Sequence, residues 1–546
     1  MHRTEPRTPT PDRAGWRALL AAALAVALLA GAACSSDGDD GDASEGADAP
    51  AADPGGSDGT AITADAVAGS FDALDGVVEG LMDQTGVPGV AVAVVHDDEL
   101  AYARGYGVRS VDGDEPVDEE TVFQIASLSK PLSSTIMSGL VGEGTFAWDD
   151  PVAEYAPQFR LSDEWVSDHV TFADLFSHRS GLPGGAAGND LEAIGYDRDT
   201  ILPRLELVPL DGFRDTYSYA NWGMTLGGEI GAMAAGADWE TVADEVLFDP
   251  AGMDHTSMRH DDFVAEENHA EAHVPLGDGE WAADFPRDPD PQAPAGGVSS
   301  NVVDLARWMR LQLNDGELDG ETLIDAEALD QTHVPHITSR PPTPPDGGQP
   351  GLYGLGWNVG TEFGGLVTWS HSGAFSTGAN TAVKLVPAED FGIVVLTNGA
   401  PIGVPETIAD AYLDHLLTGS DDVDTWWETW STRMAGVYGE PLDLGPEPED
   451  PAPAAPAEAY AGTYANDYVG EVTISDGGDG TLQMAIGPAG ITYSLEHWEG
   501  DTFVYAHAPE LPDFPETATF ELVDGEAASL TLSAMDGAGM GTLERV

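Results

Sequence analysis

Basic residues are scarce in this 546-residue chain: 20 Lys and Arg stand against 96 Asp and Glu, a formal charge of −76. With no basic footprint to meet phosphates, a nucleic-acid partner is excluded. Adsorption to anionic lipid through charge is disfavoured for the same reason. The single cysteine, Cys34, leaves no internal disulfide. No Gly-x-Ser-x-Gly elbow occurs, which disfavours an α/β-hydrolase. Such acidity keeps a chain soluble through self-repulsion, and molar salt screens that repulsion, so the composition fits adaptation to high salt. A thermal melt that gained nothing between low and molar salt would count against that reading.

Lysine is scarcer still, because Lys130 and Lys384 are the only two. Lys130 follows Ser127 by three residues in Phe123-Gln124-Ile125-Ala126-Ser127-Leu128-Ser129-Lys130-Pro131, at the head of a predicted helix. Serine is a poor nucleophile until a base takes its proton, and a buried lysine of lowered pKa can be that base. Residues three apart on a helix share a face, and Pro131 suits a first turn. A chance pairing gives the same spacing, so the motif alone decides nothing.

The N-terminus reads as an export signal. Arg3, Arg7, Arg13 and Arg17 precede an apolar run from Ala18 to Ala33, short for a membrane span and normal for a signal peptide. Gly31-Ala32-Ala33-Cys34 resembles a bacterial lipoprotein cleavage site, although Gly31 stands where that pattern prefers a branched aliphatic residue. The expectation is a signal over residues 1–33, a lipid on Cys34, and an exported protein whose only membrane contact is that anchor.

Residues 34–66 are mostly Asp, Gly, Ala, Ser and Pro and read as an acidic, disordered tether. Residues 67–420 form the main body. An amphipathic helix (Phe71, Leu74, Val78, Leu81, Met82) leads into Val90–Val95, which pairs as a hairpin with Leu100–Val108 across Asp97-Asp98-Glu99. Val367–Ser372, Ala379–Pro387 and Phe391–Thr397 read as three further strands, with a helix- and loop-rich stretch between the two ends. Strands from both ends of such a segment predict one strand-and-helix layer with a helical insert. Residues 421–456 hold a helix with Trp426, Trp427 and Trp430, read as packing rather than a binding platform, and then a stiff Pro-rich acidic linker. Residues 457–546 alternate short apolar strands with Gly/Asp turns, predicting a small all-β barrel or sandwich.

Two motifs follow Ser127 in order: Tyr217-Ser218-Tyr219-Ala220-Asn221 and Trp369-Ser370-His371-Ser372-Gly373-Ala374. Penicillin-interacting serine enzymes carry Ser-x-x-Lys, Ser-x-Asn and Lys-Thr-Gly; here Tyr-x-Asn and His-Ser-Gly occupy the second and third places. Over residues 70–418 the chain resembles the serine β-lactamase-related superfamily, in its class C, DD-peptidase and D-aminopeptidase branch. Phe176-Ser177-His178-Arg179-Ser180-Gly181-Leu182-Pro183, Gly296-Gly297-Val298-Ser299-Ser300 and Tyr353-Gly354-Leu355-Gly356-Trp357 support the likeness. Through Tyr460-Ala461-Gly462-Thr463-Tyr464 and His497-Trp498, the C-terminal unit, residues 457–546, resembles the lipocalin-like β domain often joined to such hydrolases.

The resemblance implies an α+β fold, an antiparallel sheet flanked by helices with a helical subdomain, followed by the barrel-like domain. It implies Ser127 as acylated nucleophile and either Lys130 or Tyr219 as its base. Asn221 would position Lys130 and the substrate amide. His371, Ser372, Gly373 and Ala374 would line the substrate strand, with the Ala374 N–H as second oxyanion donor. Histidine at position 371 offers a charge only when protonated, which points away from a true β-lactamase. Neither metal nor organic cofactor is implied. Substrates would be D-amino-acid peptides or peptidoglycan fragments, then esters, then β-lactams. The rival reading is a non-catalytic penicillin- or muropeptide-binding sensor. Ser129 reads as packing rather than a second nucleophile. His269 and His273, at i and i+4, could hold zinc on a helix, but no third ligand is indicated.

Overall fold

The computed structural model describes residues 61–546 apart from 186, 278, 342–348, 363–364, 439–440, 479–480 and 512. The signal segment, Cys34 and nearly all of the tether therefore lie outside the described residues. The body begins earlier than residue 67. Ile62 is buried and its N–H donates to Glu389 Oε2 at 2.8 Å, and Thr63 caps a short helix, Ala64–Gly69. Among the described residues no helix is long and apolar enough to cross a membrane.

The main body is built on one eight-stranded sheet. Its strands are β1 (Gly89–His96), β2 (Glu99–Gly107), β3 (Ile337–Arg340), β4 (Gly351–Tyr353), β5 (Asn358–Glu362), β6 (Leu366–Phe375), β7 (Ala379–Val386) and β8 (Phe391–Thr397). They lie in the order β2-β1-β8-β7-β6-β5-β4-β3, and every pairing is antiparallel. The predicted β1–β2 hairpin turns at Asp97 and Asp98, both at positive φ (51° and 58°), the twist a tight hairpin prefers.

Both faces of the sheet are covered, and β1 records this residue by residue. Val90, Val92 and Val94 enter one core; Ala91, Ala93 and Val95 enter the other. That period of two explains a continuous apolar run in place of an apolar–polar alternation. On the first face lie α1 (Phe71–Thr85), which buries Leu74, Val78 and Leu81, and the later α5 (Val404–Thr418). On the second lie α2 (Ser129–Gly142), α3 (Asn221–Ala235) and α4 (Val302–Leu313) within the helical insert. Helix α6 (Val423–Ala435) packs on α5, with Trp430 Nε1 donating to Asp410 Oδ2 at 2.7 Å, so its tryptophans serve packing as expected.

The C-terminal unit is a closed barrel of eight strands, each hydrogen-bonded to its chain neighbours, from β9 (Gly462–Asn466) to β16 (Thr542–Arg545). Closure removes exposed strand edges. The barrel docks on the insert through Tyr468, which is fully buried. Its hydroxyl donates to Asp190 Oδ1 at 2.7 Å and accepts the Gly188 N–H at 3.0 Å.

Candidate active site

Residues 121–140 are buried with one exception, Ser127. It lies in a one-turn 3-10 segment, Ala126–Leu128, that runs into α2, so the Ser-x-x-Lys pair heads a helix as its sequence predicts. Ala126 carries φ +50°, a costly conformation for a residue with a Cβ. The turn is held by what surrounds it. The Ile125 N–H donates to Val298 O at 3.0 Å, and Ser129 Oγ donates to Ala126 O at 2.6 Å while accepting the Val298 N–H at 2.9 Å. Ser129 is therefore a brace, not a nucleophile. The Gly296–Ser300 phrase forms the other half of this clasp, with Phe123–Gln124 paired to Ser299–Ser300.

Lys130 is fully buried, and its Nζ lies 2.9 Å from Ser127 Oγ. Nζ also donates to Ala295 O at 2.9 Å and sits 4.6 Å from the Tyr219 ring centre. No carboxylate is among these partners, so desolvation drives its pKa well below the ordinary lysine value. A neutral amine beside a serine hydroxyl can take its proton. Tyr219 shifts the opposite way: burial raises the phenol, while hydrogen bonding with Ser127 pulls against that rise. The environment thus favours an amine base and a neutral phenol.

The Tyr-x-Asn segment is strapped in place by the Phe176–Pro183 phrase. His178, at φ +58°, accepts the Ala220 N–H on Nδ1 at 3.1 Å, and its carbonyl accepts the Ser218 N–H at 2.9 Å. Beneath it, the buried Asp174 pairs with Arg179 and Arg214, each at 2.7 Å. Asn221 opens α3, but Lys130 Nζ bonds to Ser127 and Ala295 rather than to it, and Asn221 Oδ1 is buried with no hydrogen-bond partner among the described residues. That amide is not hydrogen-bonded to Lys130, which leaves the substrate amide as the partner the resemblance implied for it.

His371 takes the uncharged form of the two that its sequence position left open. A carbonyl only accepts, so its contact with Ser372 O at 2.7 Å places the proton on Nδ1, and Nε2 accepts from the Tyr353 hydroxyl at 3.0 Å. Burial pushes its pKa down to about 3, and a proton on Lys130 would push the same way. The ring is neutral with both nitrogens occupied, so it presents no cation to a substrate carboxylate. Ser372 and Ala374 turn their side chains to the α5 face of the sheet, by the alternation that puts Val383 and Leu385 in the insert-side core. Only their backbone borders the nucleophile. Gly373 is required: a Cβ there would fall 2.0 Å from Ile125 O and 2.3 Å from Thr381 Oγ1.

Sequence reasoning gave no role to Ala295 O, His178 or Tyr353, although two of them lay in phrases already noted. It also missed the barrel's reach to the site. Glu510 accepts the Ser376 hydroxyl at 3.0 Å, two residues beyond Ala374. His269 and His273 engage backbone groups: His269 Nδ1 pairs with Glu266 O at 2.6 Å, and His273 Nε2 accepts the Val111 N–H at 3.1 Å.

Comparison with known proteins places the chain in a family. The family model described as Beta-lactamase matches residues 74–418, and a domain of unknown function matches residues 446–541. Penicillin-binding protein 4 of Amycolatopsis lactamdurans is 28% identical, over 71% of this chain and 95% of its own. An unguisins hydrolase of Aspergillus violaceofuscus is 26% identical, over 76% of this chain and 79% of its own. Among solved structures, the octameric penicillin-binding protein homologue from Pyrococcus abyssi superposes with a TM-score of 0.56 at 20% identity, covering 85% of this chain and 98% of that one. With the model matching well over half of its length, the chain belongs to the Beta-lactamase family.

Proposed function

We propose that this protein is an exported serine hydrolase that cleaves amide or ester bonds through an acyl-enzyme on Ser127, acting first on D-amino-acid peptides or peptidoglycan fragments. One observation carries the reading: a fully buried Lys130, its pKa depressed, lies 2.9 Å from the Oγ of Ser127, the one residue of 121–140 that is not buried. A sensor that only bound its ligand would have no use for an amine at that place.

In acylation, Ser127 Oγ attacks the carbonyl carbon as Lys130 Nζ takes its proton. The developing oxyanion is met by backbone N–H groups of Ser127 and Ala374. Collapse expels the amine or alkoxide, which takes a proton from the Tyr219 phenol, and Lys130 returns that proton to Tyr219. Water then releases the acid. The neutral His371 favours substrates that need no cation for a carboxylate, which sets aminopeptide and ester substrates before β-lactams. Lipidation at Cys34 would tether the enzyme to the outer face of the bacterial cytoplasmic membrane.

A panel of D-aminoacyl amides, D-peptides and simple esters tests the reading, with Ser127→Ala as control. Turnover that Ser127→Ala abolishes supports it. A panel left untouched by wild type, or cut equally by both proteins, contradicts it.

A further inference from the structure

The strand that borders the nucleophile is held from behind by a buried acid. Asn380, opposite Ala374 on β7, turns its side chain to the α5 face while the adjacent Thr381 donates to Ile125 O at 2.8 Å on the nucleophile's face. Asn380 Nδ2 donates to Gly373 O at 3.4 Å and to Glu406 Oε1 at 3.0 Å; its Oδ1 accepts the Gly403 N–H at 3.1 Å. Asn380 and Glu406 are 1% and 3% exposed.

Gly373 O and the Ala374 N–H belong to one planar trans peptide and point in opposite directions. With the carbonyl turned toward β7, the Ala374 N–H faces the other edge of β6, where pairing with β5 stops at Ser370. Gly373 meets the nucleophile's turn on the insert face of the sheet, where Thr381 also holds Ile125 O. The contact behind the sheet therefore fixes the direction of the N–H at the open edge, and hydrogen bonds in such a chain polarise one another.

We infer that Glu406 and Asn380 are a positioning pair that orients the Gly373–Ala374 peptide as oxyanion donor, and that the pair works with Glu406 protonated. The inference rests on the Ser127 acyl-transfer reading. A carboxylate behind that peptide would oppose the negative charge forming in front of it. The surroundings agree. Glu406 is buried, and the donors beside its carboxyl are Asn380 Nδ2, the Ser372 side chain and its own backbone N–H. The charged groups facing it are Asp410 on α5, which repels a second carboxylate, Lys384 on β7, and Glu362 on β5. Lys384 is engaged by both Asp410 and Glu362. Burial raises the Glu406 carboxyl to about 7, against the pull of Asn380, Ser372 and its own helix-start N–H.

Glu406→Gln keeps an acceptor for Asn380 without an ionisable proton; Glu406→Leu and Asn380→Leu remove the contact. Two readouts are needed: kcat and KM against pH, and hydrogen exchange of the segment over residues 371–375. The pair predicts an alkaline limb in wild-type kcat that Glu406→Gln lacks. It also predicts faster exchange in both Leu variants, with kcat down about 10²-fold and KM little changed. A Glu406→Gln protein that keeps the wild-type alkaline limb overturns the inference, as does unaltered exchange in folded Leu variants. A wild type without turnover would sink the hydrolase reading instead, and exchange alone would then decide the positioning role.

Discussion

Gly373→Ala is the substitution that presses hardest on the geometry of the site. A Cβ at position 373 would stand 2.0 Å from Ile125 O, 2.3 Å from Thr381 Oγ1 and 3.1 Å from Ile125 C. Ordinary contact needs more than 3 Å, so β6 and the Ile125–Ser127 turn must separate by about 1 Å, a misplacement that can lower catalysis about 10²-fold. Neither side yields easily, because Ile125 is tied to Val298 and Thr381 while Gly373 is tied to Asn380. Overpacking of this kind also costs roughly 1–3 kcal/mol of stability. A control exists in α1: a Cβ on Gly80 meets nothing within 4 Å, so Gly80→Ala is expected to stabilise by about 0.5–1 kcal/mol and leave turnover alone. Acylation rates on the best substrate of the panel, with a urea titration of each variant, measure both effects. A Gly373→Ala protein with wild-type stability and wild-type acylation would refute the argument that this contact sets the distance from nucleophile to strand.

Other consequences are open to simple assays. Lys130→Met should lose at least about 10² in acylation yet unfold at higher denaturant. At neutral pH the unfolded chain holds a lysine proton that the folded state resists, so wild-type stability rises with pH toward the ordinary lysine pKa while the Met variant's does not; a destabilised Met variant contradicts this. Wild-type acylation should fall as pH drops through the depressed Lys130 pKa. The His371 ring stays neutral until about pH 3, so an acid limb that moves in His371→Gln points to the wrong base. Glu510→Ala, or truncation before the barrel at about Pro446, should raise the rate on long peptides relative to short ones, because Glu510 ties the barrel to Ser376 beside the site; unchanged discrimination in both proteins removes the barrel from substrate selection.

Much of this was legible before any coordinates. Val90–Val95 was readable as a strand because branched residues fill both faces, and the Asp97–Asp98 turn announced its hairpin. That Ser127, Lys130 and Tyr219 lie together was readable because the proposed acyl transfer needs fixed residue types at fixed spacing. The state of His371 was not, since it depends on Tyr353 and on a carbonyl orientation that no spacing encodes. Nor was the split between Ser372 and Gly373 readable, because which side chain faces the nucleophile follows from the register with β7. Glu406 passes in sequence for an ordinary helix-start acid; only the fold puts it behind Gly373 and Ala374. The start of the body at residue 62 was hidden because a single apolar residue, Ile62, anchors it.

The most direct test of the central claim is intact-mass spectrometry of the purified soluble form after mixing with a penicillin, beside Ser127→Ala. The account predicts a mass increase equal to the penicillin on wild type alone, or its consumption by wild type alone if deacylation is fast. An adduct of equal yield on Ser127→Ala would contradict Ser127 as the acylated nucleophile.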